Sequence, residues 1–168
     1  VRLPVEHGSA LSGQVAVTLA GAGSAAVLLA AWGFQVFGGL APCPLCVWQR
    51  WPHVVAVVIA ACVWRLPAAL RQPLLWTGAA AAVTTGLIGV YHTGIERGLW
   101  PGPDSCSGAG SDLSALSGAD LLDMSAPVNL VMCDEVAWSM LGLSMASWNA
   151  VAAFAFGALW ILGARRSV

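Results

Sequence analysis

The sequence predicts an all-α membrane protein, a four-helix transmembrane bundle with a long outer loop between helices 3 and 4. Three observations carry that reading. Of the 168 residues, 58% are hydrophobic and only 9% are charged, against about a quarter charged in an ordinary soluble domain. Four stretches reach or approach the ~20 apolar residues that a helix needs to cross a bilayer core. All seven basic residues are arginine, and Arg2, Arg65, Arg71, Arg165 and Arg166 fall at the two ends of the chain and in one short connection. In a four-span protein these places share a side, which the positive-inside rule makes cytoplasmic.

The first span covers roughly residues 15–37. Its apolar run outlasts the roughly 7–15 residues of a signal-peptide core, so it reads as a retained signal anchor. The second covers roughly 46–64, the third 74–95 and the fourth 147–162, the last lengthened by a turn of Met140, Leu141, Gly142 and Leu143 at its outer end. No Pro/Ser-rich linker or charge block divides the chain, so residues 1–168 read as one domain. The outer loop, 96–146, carries seven of the eight acidic residues, consistent with a non-cytoplasmic side. Within it, residues 112–122 suggest a short helix, lying on the membrane surface or packed on the bundle. Trp48, Trp51, Trp100 and Trp148 fit an outer interfacial belt and Trp64, Trp76 and Trp160 an inner one, although any of these rings can instead fill a helix contact.

The cysteines point to chemistry. Cys43 and Cys46 form a Cys-Pro-Leu-Cys box at the outer start of the second span, and Cys106 and Cys133 lie in the outer loop. All four occupy the side on which disulfides persist. Cys62 lies sixteen residues past Cys46, roughly 24 Å along a helix, and reads as a buried apolar thiol. In the first helical turn, unpaired N–H groups and the helix dipole favour a Cys46 thiolate. Arg50 follows at i+4 on the same face, where its fixed charge favours a thiolate or a reduced, anionic acceptor; the bland alternative is an arginine snorkelling to the interface. With no Gly-rich dinucleotide fingerprint and no Cys-x-x-Cys-His, a quinone dissolved in the bilayer is the simplest electron acceptor. His92 is placed to hydrogen-bond a quinone carbonyl or to sit as a structural interfacial histidine. His53, at i+7 from Cys46, reads first as a helix–helix hydrogen-bonding group. Pro52 predicts a kink or a broken first turn in the second span.

The run Pro42-Cys43-Pro44-Leu45-Cys46-Val47-Trp48-Gln49-Arg50, then Tyr91-His92-Thr93 and Cys106, then Cys133 through Asn149 with its Leu-Gly-Leu-Ser-Met segment, resembles the disulfide bond formation protein B (DsbB) family over essentially the whole chain. The resemblance implies a bacterial inner-membrane enzyme with both termini cytoplasmic and the redox cysteines periplasmic. It implies a DsbA-like periplasmic thiol oxidase as partner and ubiquinone or menaquinone as cofactor. By the same resemblance Cys106 forms the mixed disulfide with the partner, Cys133 exchanges with Cys43, and Cys46 meets the quinone beside Arg50. Membrane lipid is the other expected partner, with no nucleic acid and no metal, and the protein is expected to be a monomer. Pro52 departs from the family pattern. The rival readings are a vitamin K epoxide reductase-like oxidase, in which the CxxC comes in a late span, a structural zinc site on the four outer cysteines, and two inert disulfides.

Overall fold

The computed structural model describes residues 4–103, 106 and 132–166, with side chains from Ser12 onward except that of Ala68. Among the described residues, four helices are long and apolar enough to cross a membrane. They are α1 (Pro4–Val36), α2 (Pro44–Cys62), α3 (Ala68–Glu96) and α4 (Met145–Arg166). They pack in ring order, α1 on α2, α2 on α3, α3 on α4 and α4 on α1. The suggested helix at 112–122 lies outside the described residues.

Each boundary has a local cause. Pro44 opens α2 at its first turn, where a missing N–H costs nothing, and Cys43 caps it through its sulfur. Gly98, at φ +67°, closes α3: its N–H bonds Ile95 O and that of Leu99 bonds Gly94 O, the paired C-terminal bonds that a left-handed residue permits. Ser144 caps α4, its hydroxyl accepting from the Ser147 N–H at 3.2 Å.

Several expectations are corrected. Helix α3 begins at Ala68, because it runs through Pro73 without a break. The Met140–Leu143 stretch is a hairpin and no extension of the last helix: β1 (Ser139–Met140) pairs antiparallel with β2 (Leu143–Ser144), and Leu141 and Gly142 turn it at φ +54° and +76°. For Trp160 the second of the two readings holds: the ring fills a helix contact, fully buried in one cluster with Val17, Ile59, Leu75 and Ala79. Pro52, in turn, neither ends nor splits α2, which is continuous to Cys62. Cys62 is only half-buried, its thiol donating to Val58 O at 3.0 Å.

Small residues let the helices approach. A Cβ at Gly78 would come within 2.6 Å of the Trp160 ring, and one at Gly21 within 2.3 Å of the Ala60 Cβ. With lipid no less apolar than leucine, such close contact is a main source of helix association. The outward faces carry exposed Leu29, Trp32, Trp51, Val58 and Leu87, as a bilayer-facing surface requires. Gln72 Nε2 bonds Ala164 O at 3.1 Å and Arg166 bonds Ser12 Oγ at 2.9 Å, so the start of α3, the end of α4 and the early part of α1 share one end. The Cys-Pro-Leu-Cys box is at the other.

Candidate functional site

The box is built by the start of α2. Extended backbone at Cys43 (φ −73°, ψ 166°) leads into the helix, and its sulfur accepts from the Cys46 N–H at 3.2 Å. The Cys43 thiol donates to the Cys46 sulfur at 2.9 Å. That hydrogen bond, and burial after it, push the Cys43 thiol far above its ordinary range, so it holds its proton while its neighbour receives the bond.

The second pair comes to meet it. Cys106 and Cys133 form a disulfide with Cα atoms 5.0 Å apart. The Cys106 N–H bonds Pro103 O at 2.7 Å and the Cys133 N–H bonds Cys106 O at 2.9 Å. Both cysteines pack with Cys43, Leu45 and Ile95 in one buried cluster, with Cys46 at its edge. The sulfurs of Cys43 and Cys133 and a ring nitrogen of His92 lie within 4.8 Å of one another. All four cysteines picked out in the sequence are thus together, with Cys43 in reach of both Cys46 and Cys133. Cys62, at the far end of α2, is apart.

Beneath the sulfurs runs a buried hydrogen-bonded chain whose direction is set by groups that can act in only one way. The Leu45 carbonyl can only accept, so the Gln49 amide nitrogen faces it at 3.2 Å. The same nitrogen is 3.0 Å from His92 Nδ1, which therefore accepts. A neutral His92 then carries its proton on Nε2, 3.6 Å from the Cys43 sulfur. Asn149 Nδ2 donates to Gln49 Oε1 at 2.7 Å. Thr85 gives its hydroxyl proton to the Gln49 carbonyl at 2.8 Å, so its oxygen takes a second Asn149 proton at 3.3 Å. Asn149 Oδ1 is left facing His53 Nε2 at 2.9 Å, and that nitrogen donates. The line from His53 through Asn149, Gln49 and His92 points toward Cys43, and the bonds to Leu45 and Thr85 branch from it.

Arg50 and Cys46 share the wall of a largely apolar cavity of about 370 Å³ with Val27, Ala31 and Phe34 of α1, His53 of α2 and Asn149 of α4. Its size is within the range of small-molecule sites. The Arg50 guanidinium donates to Gln35 Oε1 at 2.9 Å, which ties α2 to α1 beside the dithiol. Trp138 packs on Phe34 with ring centroids 5.4 Å apart. His92 also borders the cavity, with both nitrogens already engaged, by Cys43 and by Gln49. His53 makes the helix–helix bond expected of it. Gln49, Thr85 and Asn149 were not singled out as site residues; the signal for them was polar side chains inside apolar spans. A second polar group, Glu96, Ser144, Ser147 and Thr93, ties the outer ends of α3 and α4 through hydroxyl hydrogen bonds.

Comparison with known proteins adds relatives. The profile of the family described as "Disulfide bond formation protein DsbB" matches residues 13–163. Disulfide bond formation protein B of Nitrosococcus oceani is 35% identical over 150 residues, covering 82% of this chain and 85% of that protein. The protein of the same name from Methylococcus capsulatus is 34% identical over 145 residues, with 82% and 85% covered. That of Polaromonas sp. is 29% identical over 130 residues, with 74% and 76% covered. No solved structure gives a significant match.

Proposed function

The chain belongs to the disulfide bond formation protein B family, and from that premise we propose that it oxidises the dithiol of a DsbA-like periplasmic thiol oxidase and passes the electrons to a membrane quinone, ubiquinone or menaquinone. The chain's family and its four apolar helices make it a disulfide-forming oxidoreductase held in the membrane by several helices. On our reading the membrane is the bacterial inner membrane, with both termini cytoplasmic and the four clustered cysteines periplasmic.

One observation carries the proposal: Cys43 stands between the two partners that a relay needs, hydrogen-bonded to Cys46 and within 4.8 Å of the Cys133 sulfur. The partner's thiolate attacks Cys106, the Cys106–Cys133 bond breaks, and Cys133 leaves as a thiolate. Cys133 then attacks Cys43 of an oxidised Cys43–Cys46 pair, and Cys46 leaves as a thiolate at the wall of the cavity. The partner's second thiolate displaces Cys106 from the mixed disulfide, Cys106 attacks Cys133, and Cys43 leaves as a thiolate. Each step breaks one S–S bond and forms another, so the two electrons rest on the Cys43–Cys46 dithiol until the acceptor takes them. The residues suit a quinone and its reduced form: an apolar cavity of suitable size and a guanidinium at its wall that can donate to a carbonyl. When bound, a quinone supplies a two-electron, two-proton acceptor. The chain's own part is positional. His92 Nε2–H faces the Cys43 sulfur and steadies it as a leaving thiolate, and Arg50 holds positive charge beside Cys46.

The test is anaerobic mixing of the full-length protein with a reduced DsbA-like protein and each quinone in turn, followed by quinone absorbance. Wild type should reduce quinone and Cys46→Ala should not. Equal rates in the two would refute Cys46 as the donor to the acceptor. Bound zinc, with cysteines whose redox state ignores quinone, would refute the relay in favour of a metal site on Cys43, His92 and Cys133.

A further inference from the structure

His53 is buried to 1% exposure, lines the cavity and has one nitrogen, Nδ1, with no hydrogen-bond partner among the described residues. Its other nitrogen is fixed as a donor by the chain described above. Reversing that assignment would need the Asn149 amide to turn over, which would set its oxygen against Gln49 Oε1 at 2.7 Å. Turning Gln49 over as well would set oxygen against the Leu45 carbonyl at 3.2 Å. Both are contacts between two acceptors. His53 Nδ1 of the neutral ring is therefore a bare lone pair, able to accept a hydrogen bond and unable to give one. Elsewhere on the cavity wall, the Arg50 guanidinium can only donate.

A quinone and its hydroquinone differ in the complementary property. The oxidised ring has carbonyl oxygens that only accept, whereas the reduced ring has hydroxyl groups that donate. We propose that His53 recognises the reduced form of the acceptor, its Nδ1 taking a hydrogen bond from a hydroquinone hydroxyl while offering nothing to a quinone carbonyl. The proposal rests on the quinone reading above and adds to it a residue that discriminates between the substrate and product of the same cavity. An unpaired acceptor buried in an apolar setting is costly, and the hydroxyl of the reduced ring is a group of the right kind to satisfy it. His53 acts as a product-binding group, so its loss should affect the hydroquinone selectively.

The test is direct binding to the purified full-length protein, read by quenching of tryptophan fluorescence with decylubiquinone and, under anaerobic conditions, decylubiquinol. His53→Gln keeps an amide nitrogen near the position of Nε2 and removes the Nδ1 acceptor. It should weaken decylubiquinol binding about fivefold to tenfold, the worth of one neutral hydrogen bond, and change decylubiquinone binding by less than about twofold. Equal weakening of both, or of neither, would overturn the proposal. A second measurement needs no variant. In wild type labelled with 15N-histidine, the Nδ1 signal of His53 should shift on adding decylubiquinol and stay in place with decylubiquinone; the same shift with both, or none, overturns the assignment. Wild type that binds neither compound refutes the quinone reading itself. Wild type that binds both with no discrimination at His53 refutes only the present inference.

Discussion

Removing Cys46 and Cys106 together leaves Cys43 and Cys133 with only each other as nearby sulfur partners, and the distance between them sets how strongly they should pair. A sulfur confined within 4.8 Å of another samples a sphere of about 460 Å³, equivalent to an effective concentration of about 4 M. Two cysteines on a flexible connection would instead show effective concentrations in the millimolar range. The Cys46→Ala, Cys106→Ala variant should therefore form a Cys43–Cys133 disulfide that resists reduction by millimolar glutathione. The assay is equilibration in glutathione redox buffers, acid quenching, alkylation with a mass-tagged maleimide and separation by gel. The segment bearing Cys133 keeps other anchors once Cys106 is gone, namely Trp138 on Phe34 and the hairpin into α4, so the juxtaposition should survive. A measured effective concentration near a millimolar, or a Cys62 cross-link of similar strength, would refute the proximity on which the relay depends.

Three further outcomes follow from the same structure. Gly78→Leu should destabilise the protein in detergent by about 1–3 kcal/mol, the usual cost of overpacking, because even a Cβ there meets the Trp160 ring at 2.6 Å. Gly33→Ala, where nothing lies within 4 Å, is the control, and thermal unfolding monitored by tryptophan fluorescence compares them. Gln49→Met keeps the volume but cuts the bonds to Asn149 and His92; about 1–2 kcal/mol of stability should go, and Cys43–Cys133 exchange should slow, read by rapid quench and alkylation, because His92 is no longer held as a donor to Cys43. The pH dependence of Cys43 alkylation should move to lower pH in Cys46→Ala. The hydrogen bond to Cys46 is the largest cause holding that thiol's pKa up, so its removal lowers the pKa and exposes thiolate at lower pH; a midpoint that stays put or rises contradicts the assignment.

The spans were legible because a bilayer imposes a length and a composition that any helix crossing it must meet, and the cysteine box was legible because its spacing is chemistry in itself. Depth along a helix follows from residue number, but the direction in which a side chain faces depends on the neighbours. That is why Trp160 could be read equally as an interfacial ring or a helix contact until its neighbours were seen. Leu141 and Gly142 were hidden for another reason: a two-residue turn between two-residue strands offers no periodicity to detect, and only the positive φ at both positions marks it. Gln49, Thr85 and Asn149 sit on three different helices, and no spacing within one helix announces that they touch. The meeting of Cys133 with Cys43 was implied by family resemblance alone; in the structure it takes a fold of the chain that brings positions 90 residues apart within 4.8 Å.

Cys43, Cys106 and Cys133 are 3%, 2% and 0% exposed. An oxidising enzyme with open sulfurs would leak, discharging onto every small thiol that diffused past. On the relay proposed above, a thiol donor would first have to uncover Cys106, and only a partner large enough to bind the outer end of the bundle could supply the binding energy for that. Selectivity among donors is then a matter of access and not of redox potential. A weakly reducing protein that docks would be oxidised faster than a strongly reducing small thiol that cannot.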